Sequence, residues 1–257
     1  MRLFHICTIS NRLDEYEEMK ASFISAGFNE ERCRYSLFDN SKGNVHEPYS
    51  TFNQIKSQTE EPYIIFCHQD IRIDQGHDFN HLLSNLEELE HIDPTWAVIG
   101  NAGINDRYEA VVRITDLNGT PNYTGEFPQK VHSLDENFLV IKTSASVKCS
   151  SQLNGFHFYA PDLCLNTIKK GYSCYVTDFH ITHLSGGTLS SDFWRMLSRF
   201  EEHWNSSFYY CHIKTMTGID VFLSRNYLIK KIFSKASVIN FIMRRKHLFV
   251  FLRQIRF

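Results

Sequence analysis

The chain has 257 residues, of which 42% are hydrophobic, and a formal net charge of −2. This length suits one α/β domain with an appendage, and no stretch approaches the ~20 apolar residues that a membrane span requires. The seven cysteines form no CxxC pair, so they predict reduced thiols rather than a disulfide framework, and the first residues lack a signal-peptide pattern. We therefore expect a cytoplasmic protein.

The first hundred residues alternate between short apolar runs and amphipathic segments. The predicted strands cover residues 3–8, 34–38, 63–67 and 96–100. The predicted helices between them cover residues 12–26, 49–59 and 78–91. Strands and helices that alternate at this spacing are typical of βαβ units, so the sequence predicts a parallel sheet.

The third strand is the most informative stretch of the chain. Tyr63–Cys67 is entirely apolar, which predicts a strand buried on both faces, and it runs directly into His68, Gln69 and Asp70. Ligands gather outside the carboxyl ends of such strands, so Asp70 is presented where a metal-bound anion would lie. The alternative is a turn aspartate that accepts hydrogen bonds from its own backbone.

The second half of the chain is less regular. Residues 110–115, 131–133, 137–142 and 173–177 are predicted strands of a mixed sheet. The segment 116–121 is rich in turn residues and predicts a mobile loop, and residues 180–188 predict a second loop with glycines. Pro161 favours the first turn of a helix that ends before Gly171. From Ser190 onward the pattern is helical to the end.

The end of the chain differs from the rest in charge. No acidic residue follows Asp220, so the last 37 residues hold nine basic side chains, while the first 220 hold 18 basic and 29 acidic ones. Residues 237–257 have apolar positions at roughly helical spacing, which predicts a basic amphipathic helix on an anionic membrane surface. The alternative is that this face packs on the rest of the chain or on a second subunit. Nucleic-acid binding is disfavoured because the tail is apolar and the body is acidic.

An ordered set of motifs resembles a known family. The motifs are TISNR, FDN, YSTFNQI, YIIFCHQDI, VIGNAGI, VHSLDENFLVIK, GFHFYAPDLCLNTIKKGYSCYV and ITHLSGGT. This set, within residues 1–190, resembles the inverting glycosyltransferases of GT-A fold, in a bacterial family 2-like branch with His-Gln-Asp in place of the usual DXD. The resemblance implies a Rossmann-like α/β mixed sheet flanked by helices. Residues 191–257 then form a basic, helical C-terminal extension.

The resemblance implies transfer of a sugar from a nucleoside-diphosphate sugar to the hydroxyl of a glycan or lipid-linked acceptor. That activity belongs to the synthesis of a bacterial surface polysaccharide or glycolipid, and it suits a cytoplasmic or peripheral membrane protein. Mn²⁺ or Mg²⁺ would bridge Asp70 and the diphosphate, because a hard cation stabilises the charge that grows on the leaving group. The alternative is a non-catalytic nucleotide- or carbohydrate-binding module on the same fold.

The resemblance also assigns donor-binding roles. These fall on His68 and Gln69 of the motif and on five residues elsewhere, namely Thr8, Ser10, Arg12, Asp39 and Asn53. Each has a plainer alternative, because Ser10 can cap a helix, Arg12 can be a surface residue, Asp39 can be a turn residue and Asn53 can be an exposed helix residue. We expect Asp39 to contact the base or ribose and Arg12 to face a phosphate.

Two questions stay open at this stage. His183 is expected to complete the metal shell or contact the diphosphate, although a single histidine is more often a core or turn residue. An inverting transfer needs a carboxylate base. Asp162 is placed first, although the family's acidic residue two positions before it is Ala160 here and an acid in a first helical turn also suits the helix dipole. Asp135 and Glu136 are the rivals.

Overall fold

A computed structural model describes residues 1–186, 189–235 and 238. The strands in this part of the chain are β1 (Phe4–Ser10), β2 (Cys33–Asp39), β3 (Tyr63–Cys67), β4 (Ile71–Ile73), β5 (Trp96–Gly100), β6 (Ala102–Asn105), β7 (Ala110–Thr115), β8 (Pro121–Thr124), β9 (Gln129–Leu134), β10 (Phe138–Lys142), β11 (Ser173–Val176), β12 (Ile181–His183), β13 (Cys211–Lys214) and β14 (Asp220–Leu223). The helices are α1 (Leu13–Ser25), α2 (Pro48–Gln58), α3 (Phe79–Ile92), α4 (Tyr159–Lys169), α5 (Ser191–Asn205) and α6 (Tyr227–Phe233).

Twelve of the described strands form one mixed sheet, and this confirms the predicted α/β class. The order is β2-β1-β3-β10-β5-β11-β9-β6-β7-β12-β4, with β8 paired to β7. Strand β1 pairs in parallel with both β2 and β3, whereas β10 runs antiparallel to β3 and β5. The carboxyl ends of β1, β2 and β3 therefore lie on the same edge as the start of β10.

Strand β3 shows why helices cover both faces of the sheet. Ile64 and Phe66 point into one hydrophobic core, which also contains the buried residues of α2, α4 and α5. Ile65 and Cys67 point into the other, which contains those of α1 and α3. Because successive side chains of a strand alternate between faces, a wholly apolar strand is stable only when both faces are covered.

The sheet curls back on itself. Only three residues separate β3 from β4, yet β4 lies at the opposite end of the strand order, where it pairs with β12. The chain connection fixes β4 beside the carboxyl end of β3, so the paired β12 is brought to the same place. This curl decides which distant residues meet the His-Gln-Asp motif.

Several predicted elements differ from the structure. Residues 180–188 were expected as a loop, but they contain β12, and the expected loop at 116–121 closes the β7–β8 hairpin. The prediction of helix throughout from Ser190 is wrong, because β13 and β14 form an antiparallel hairpin. The buried Phe193, Phe200 and Trp204 of α5 also join the core that contains α4.

The predicted amphipathic helix at 237–257 lies outside the described residues, apart from Val238. The preceding helix, α6, has no buried residue and exposes Tyr227, Leu228 and Ile232. Among the described helices, none has the length and apolar character needed to cross a membrane.

Candidate functional site

Three side chains with metal-ligating atoms meet at the edge where β3 ends. His68 and Asp70 follow β3 directly, and His183 ends β12, where it is in register with Ile71. The backbone N–H of Leu184 donates to the Asp70 carbonyl at 2.9 Å and extends the pairing of β12 with β4 by one hydrogen bond. One ligand atom from each of the three side chains lies within 4.8 Å of the others. In the part of the chain that the structure describes, this is the one cluster of its kind.

The carboxylate of Asp70 lies between the two imidazoles. Its Oδ1 is 3.5 Å from His183 Nε2 and 3.9 Å from His68 Nδ1. Burial by itself raises the pKa of Asp70, but the neighbouring His183, His68 and Ser185 outweigh it and hold that pKa well below its usual range. Asp70 is therefore an ionised, buried carboxylate, which is the state that binds a cation.

His183 is a candidate metal ligand. Its Nε2 is buried and has no hydrogen-bond partner among the described residues, since 3.5 Å to Asp70 is long for a hydrogen bond. Burial lowers the pKa of His183, but the neighbouring Asp70 reverses this and raises it above the ordinary histidine value. A buried nitrogen aimed at a carboxylate without bonding it fits a bound cation between the two.

His68 is held from its other side. Its Nε2 is 3.0 Å from the hydroxyl of Tyr159, and that hydroxyl donates to the backbone carbonyl of Glu136 at 2.8 Å. The backbone N–H of His68 also donates to the Asn137 carbonyl at 2.9 Å. The motif after β3 is therefore anchored to the turn before β10 by backbone and side chain together.

The turn before β10, which accepts hydrogen bonds from His68 and Tyr159, carries two more carboxylates. The negative charge of Asp135 contributes to the raised pKa of His183, and its Oδ1 accepts from the Asn137 backbone N–H at 3.0 Å. Glu136 is half-buried, and burial followed by the charge of Asp135 raises its pKa to about 8, despite backbone N–H groups at the start of α4. A carboxyl poised near neutral pH is suited to general acid–base work.

Asp162 has a different environment. The residue is fully buried, and its carboxylate accepts from the Ser150 backbone N–H and hydroxyl, both at 2.7 Å, and from the Trp204 indole N–H at 2.9 Å. Asn166 adds a fourth donor at 3.2 Å. These contacts occupy the oxygens of Asp162, and the residue has no exposed surface.

Gln69 joins the motif to the loop after β1. Its side-chain oxygen accepts from the Asn11 backbone N–H at 3.0 Å, and its amide nitrogen donates to Asn11 Oδ1 and to Glu15. Arg12 is exposed and pairs with Glu15 at 2.7 Å. The guanidinium thus lies beside the loop that Gln69 holds, and it is accessible to a phosphate.

The remaining predicted residues lie in settings that differ from one another. Thr8 is fully buried against Cys67, and Ser10 forms a local turn with the backbone of Arg12 rather than capping α1. Asp39 is exposed at the end of β2, where the Ser41 side chain and backbone hydrogen bonds lower its pKa.

Asn53 serves a structural role. Its side chain exchanges two hydrogen bonds of 2.9 Å with the backbone of Cys149, which ties α2 to the segment before α4. The structure therefore brings His68, Asp70 and His183 together, with the Asp135–Glu136 turn beside them. Thr8 is buried in the core, and Asn53 is bound to the Cys149 backbone.

Two contributors were missed by sequence reasoning. Tyr159 contacts His68 across ninety residues of chain, and Ser185 supports Asp70 from the segment after β12. Neither residue type is distinctive, and no local spacing signals a contact between a helix start and a strand end. Their roles follow only from the tertiary structure.

No protein-family model matches the chain. Similar solved structures include A197 from STIV, at 12% identity over 72% of this chain and 87% of that chain, with a TM-score of 0.41. They also include S. aureus TarS 1–349 in complex with UDP-GlcNAc, at 14% identity over 79% of this chain and 66% of that chain, with a TM-score of 0.47. Similarity at this level carries no functional argument.

A sequence relative is closer. The Fuscovulum blasticum protein named ATP synthase subunits region ORF 6 is 31% identical over 201 residues, which cover 76% of this chain and 80% of that protein. That name states no activity. By this identity and coverage, the chain belongs to the family of the Fuscovulum blasticum protein.

Proposed function

We propose that the protein is a metal-dependent, inverting glycosyltransferase of GT-A type that uses a nucleoside-diphosphate sugar. The observation that carries the proposal is the cluster of His68, Asp70 and His183 at the carboxyl edge of the parallel strands. In open α/β sheets this edge is where nucleotide ligands bind. The exposed Arg12 follows β1 and the exposed Asp39 ends β2 on the same edge, so they would flank a nucleotide bound there.

The ligand set fits a divalent cation. One ionised carboxylate and two imidazoles leave coordination positions for the oxygens of a diphosphate. Imidazole ligands favour Mn²⁺ over Mg²⁺, because Mg²⁺ strongly prefers oxygen donors. When bound, the cation would stabilise the charge that develops on the leaving diphosphate.

Glu136 is the proposed general base. Its ionised carboxylate would accept the proton from the acceptor hydroxyl as that oxygen attacks the anomeric carbon and the bond to the diphosphate breaks. The raised pKa of Glu136, about 8, makes it a stronger base than an ordinary glutamate. Asp135 supports this role because its charge contributes to the raised pKa.

The acceptor is proposed to be a glycan or a lipid-linked saccharide. Helix α6 exposes Leu228 and Ile232 beside Lys231 and Lys235, and the chain after it is basic and apolar. Such a surface would hold the protein at an anionic bilayer, where a lipid-linked acceptor lies. This arrangement would suit synthesis of a surface polysaccharide or glycolipid.

The proposal is tested by calorimetric titration of Mn²⁺ and then of UDP- and GDP-sugars, UDP-GlcNAc among them, followed by donor hydrolysis. Wild-type protein should bind a nucleotide sugar only with Mn²⁺, and Asp70→Ala and His183→Ala should lose this binding. His91→Ala, at an exposed position in the last turn of α3, is the control. Binding without hydrolysis or transfer would favour the non-catalytic module, and no metal-dependent binding would refute the proposal.

A further inference from the structure

The hydroxyl of Tyr159 lies between two groups that differ in whether they can donate a hydrogen bond. On one side it meets the backbone carbonyl oxygen of Glu136 at 2.8 Å, and on the other it meets His68 Nε2 at 3.0 Å. A carbonyl oxygen only accepts hydrogen bonds, whereas an imidazole nitrogen either donates or accepts according to its tautomer. The carbonyl therefore determines where the tyrosine proton points.

The position of the tyrosine proton then determines the tautomer of His68. Tyr159 carries its O–H proton at neutral pH, because a tyrosine phenol loses that proton only near pH 10. Its single O–H proton is used by the Glu136 carbonyl. The hydroxyl oxygen can only accept from His68, so His68 Nε2 carries a proton. The neutral imidazole is the form of histidine that binds a metal ion.

A neutral imidazole with a proton on Nε2 has its lone pair on Nδ1. That nitrogen faces the Asp70 carboxylate, with 3.9 Å between His68 Nδ1 and Asp70 Oδ1. We infer that Tyr159 is a positioning residue that holds His68 in the Nε2–H tautomer and so makes Nδ1 the metal-binding atom. This inference rests on the metal-dependent function proposed above, and it concerns the tautomer of one ligand in the metal-free protein.

The tyrosine is itself fixed in place. Its ring is buried and makes edge contacts with Phe66 of β3, at 5.8 Å between centroids, and with Tyr49 of α2, at 6.4 Å. Phe158 precedes it in a left-handed conformation, with φ of 65°, and its ring packs on Phe193 at 4.9 Å. This backbone turn starts α4 with the Tyr159 hydroxyl directed at the sheet edge.

The test compares Tyr159→Phe with Tyr49→Phe. Both variants keep the ring and remove one hydroxyl, but the Tyr49 hydroxyl donates to the His157 carbonyl at 2.9 Å and does not bond His68. The ¹⁵N shifts of the His68 ring in the metal-free protein report its tautomer, and calorimetry with MnCl₂ alone reports the metal affinity.

We expect the Nε2–H tautomer in the wild-type protein and in Tyr49→Phe, and a mixture of tautomers in Tyr159→Phe. The Mn²⁺ dissociation constant should rise roughly 10- to 100-fold in Tyr159→Phe, which is the usual effect of losing an outer-shell partner, and stay near the wild-type value in Tyr49→Phe.

An Nδ1–H tautomer in the metal-free wild type, or unchanged Mn²⁺ affinity in Tyr159→Phe, would overturn the inference. Absence of Mn²⁺ binding to the wild-type protein would instead refute the proposed function. The tautomer measurement needs no metal, so the two failures are distinguishable.

Discussion

The indole N–H of Trp204 donates to the carboxylate of Asp162 across 2.9 Å, and both residues are fully buried. This bond joins α5 to the first turn of α4. Asp162 also accepts two hydrogen bonds of 2.7 Å from Ser150. The carboxylate therefore holds three segments of one core together, and a residue expected to carry out chemistry has the contacts of a structural one.

Asp162→Asn should reduce stability rather than chemistry. An amide presents an N–H₂ group to donors that the carboxylate satisfied, and an unsatisfied buried donor costs about 1–3 kcal/mol. Urea unfolding measures this change in the free energy of unfolding. Asp192→Asn, at an exposed acid in the first turn of α5, is the control and should change stability by less than about 0.5 kcal/mol. Normal stability with abolished turnover would restore Asp162 as the base.

Glu136→Gln should lower turnover by about 10²- to 10⁴-fold with little change in donor affinity, because the base acts on the acceptor hydroxyl. The wild-type rate should rise with pH through about 8, since the base works in its ionised form and its pKa is raised to about 8. This rise of the rate with pH should be absent in Glu136→Gln. If the variant keeps the rise, another residue is the base, and Asp135 is the nearest candidate.

The same carboxyl makes stability depend on pH. The pKa of Glu136 is raised in the folded protein to about 8 from an ordinary value of 4.5, so its stabilising contribution is fully present below pH 4.5 and is lost as pH rises through 8. The slope is at most about 1.4 kcal/mol per pH unit. Thermal unfolding between pH 5 and 8 should show a steeper loss in the wild type than in Glu136→Gln. If the stability of both proteins falls equally with pH, the raised pKa of Glu136 is contradicted.

Mn²⁺ should stabilise the wild-type protein against heat, because a ligand that binds only the folded state adds about 2.7 kcal/mol at a concentration 100 times its dissociation constant. EDTA should reverse the shift. Asp70→Ala should show no shift, since the carboxylate between His68 and His183 is gone, whereas His91→Ala should respond as the wild type does. An equal shift in Asp70→Ala would place the cation elsewhere.

Membrane binding is tested by flotation of the protein with vesicles at low salt. We expect it to float with anionic vesicles and not with neutral ones. Replacing Lys231 and Lys235 by Glu should weaken binding, because each basic residue near an anionic surface contributes about 1 kcal/mol.

The matched control for flotation replaces the exposed Lys42 and Lys148 by Glu. This pair changes the net charge by the same amount, away from α6, and should float as the wild type does. If the wild-type protein does not bind anionic vesicles at low salt, the remaining explanation is that the basic tail packs on the rest of the chain or on a second subunit.

The local sequence was sufficient for most regular elements. Strand 96–100 and strand 110–115 were predicted with the bounds they have, and α1, α2 and α3 were predicted within a residue or two. Apolar runs, turn residues and helical periodicity are short-range signals that act within one element. Short strands such as β4 and β12 have three residues each and carry no such signal, because partner strands rather than their own composition stabilise them.

The sequence by itself placed Asp70 at the carboxyl edge of a buried parallel strand, because an apolar run followed by polar residues specifies a strand and its end. Only the tertiary structure decided which residues join it. The pairing of β12 with β4 brings His183 to Asp70, and the start of α4 brings Tyr159 to His68. The same packing buries Asp162 and leaves Glu136 beside the cluster. Such long-range register depends on the curl of the whole sheet, which no single stretch of sequence encodes.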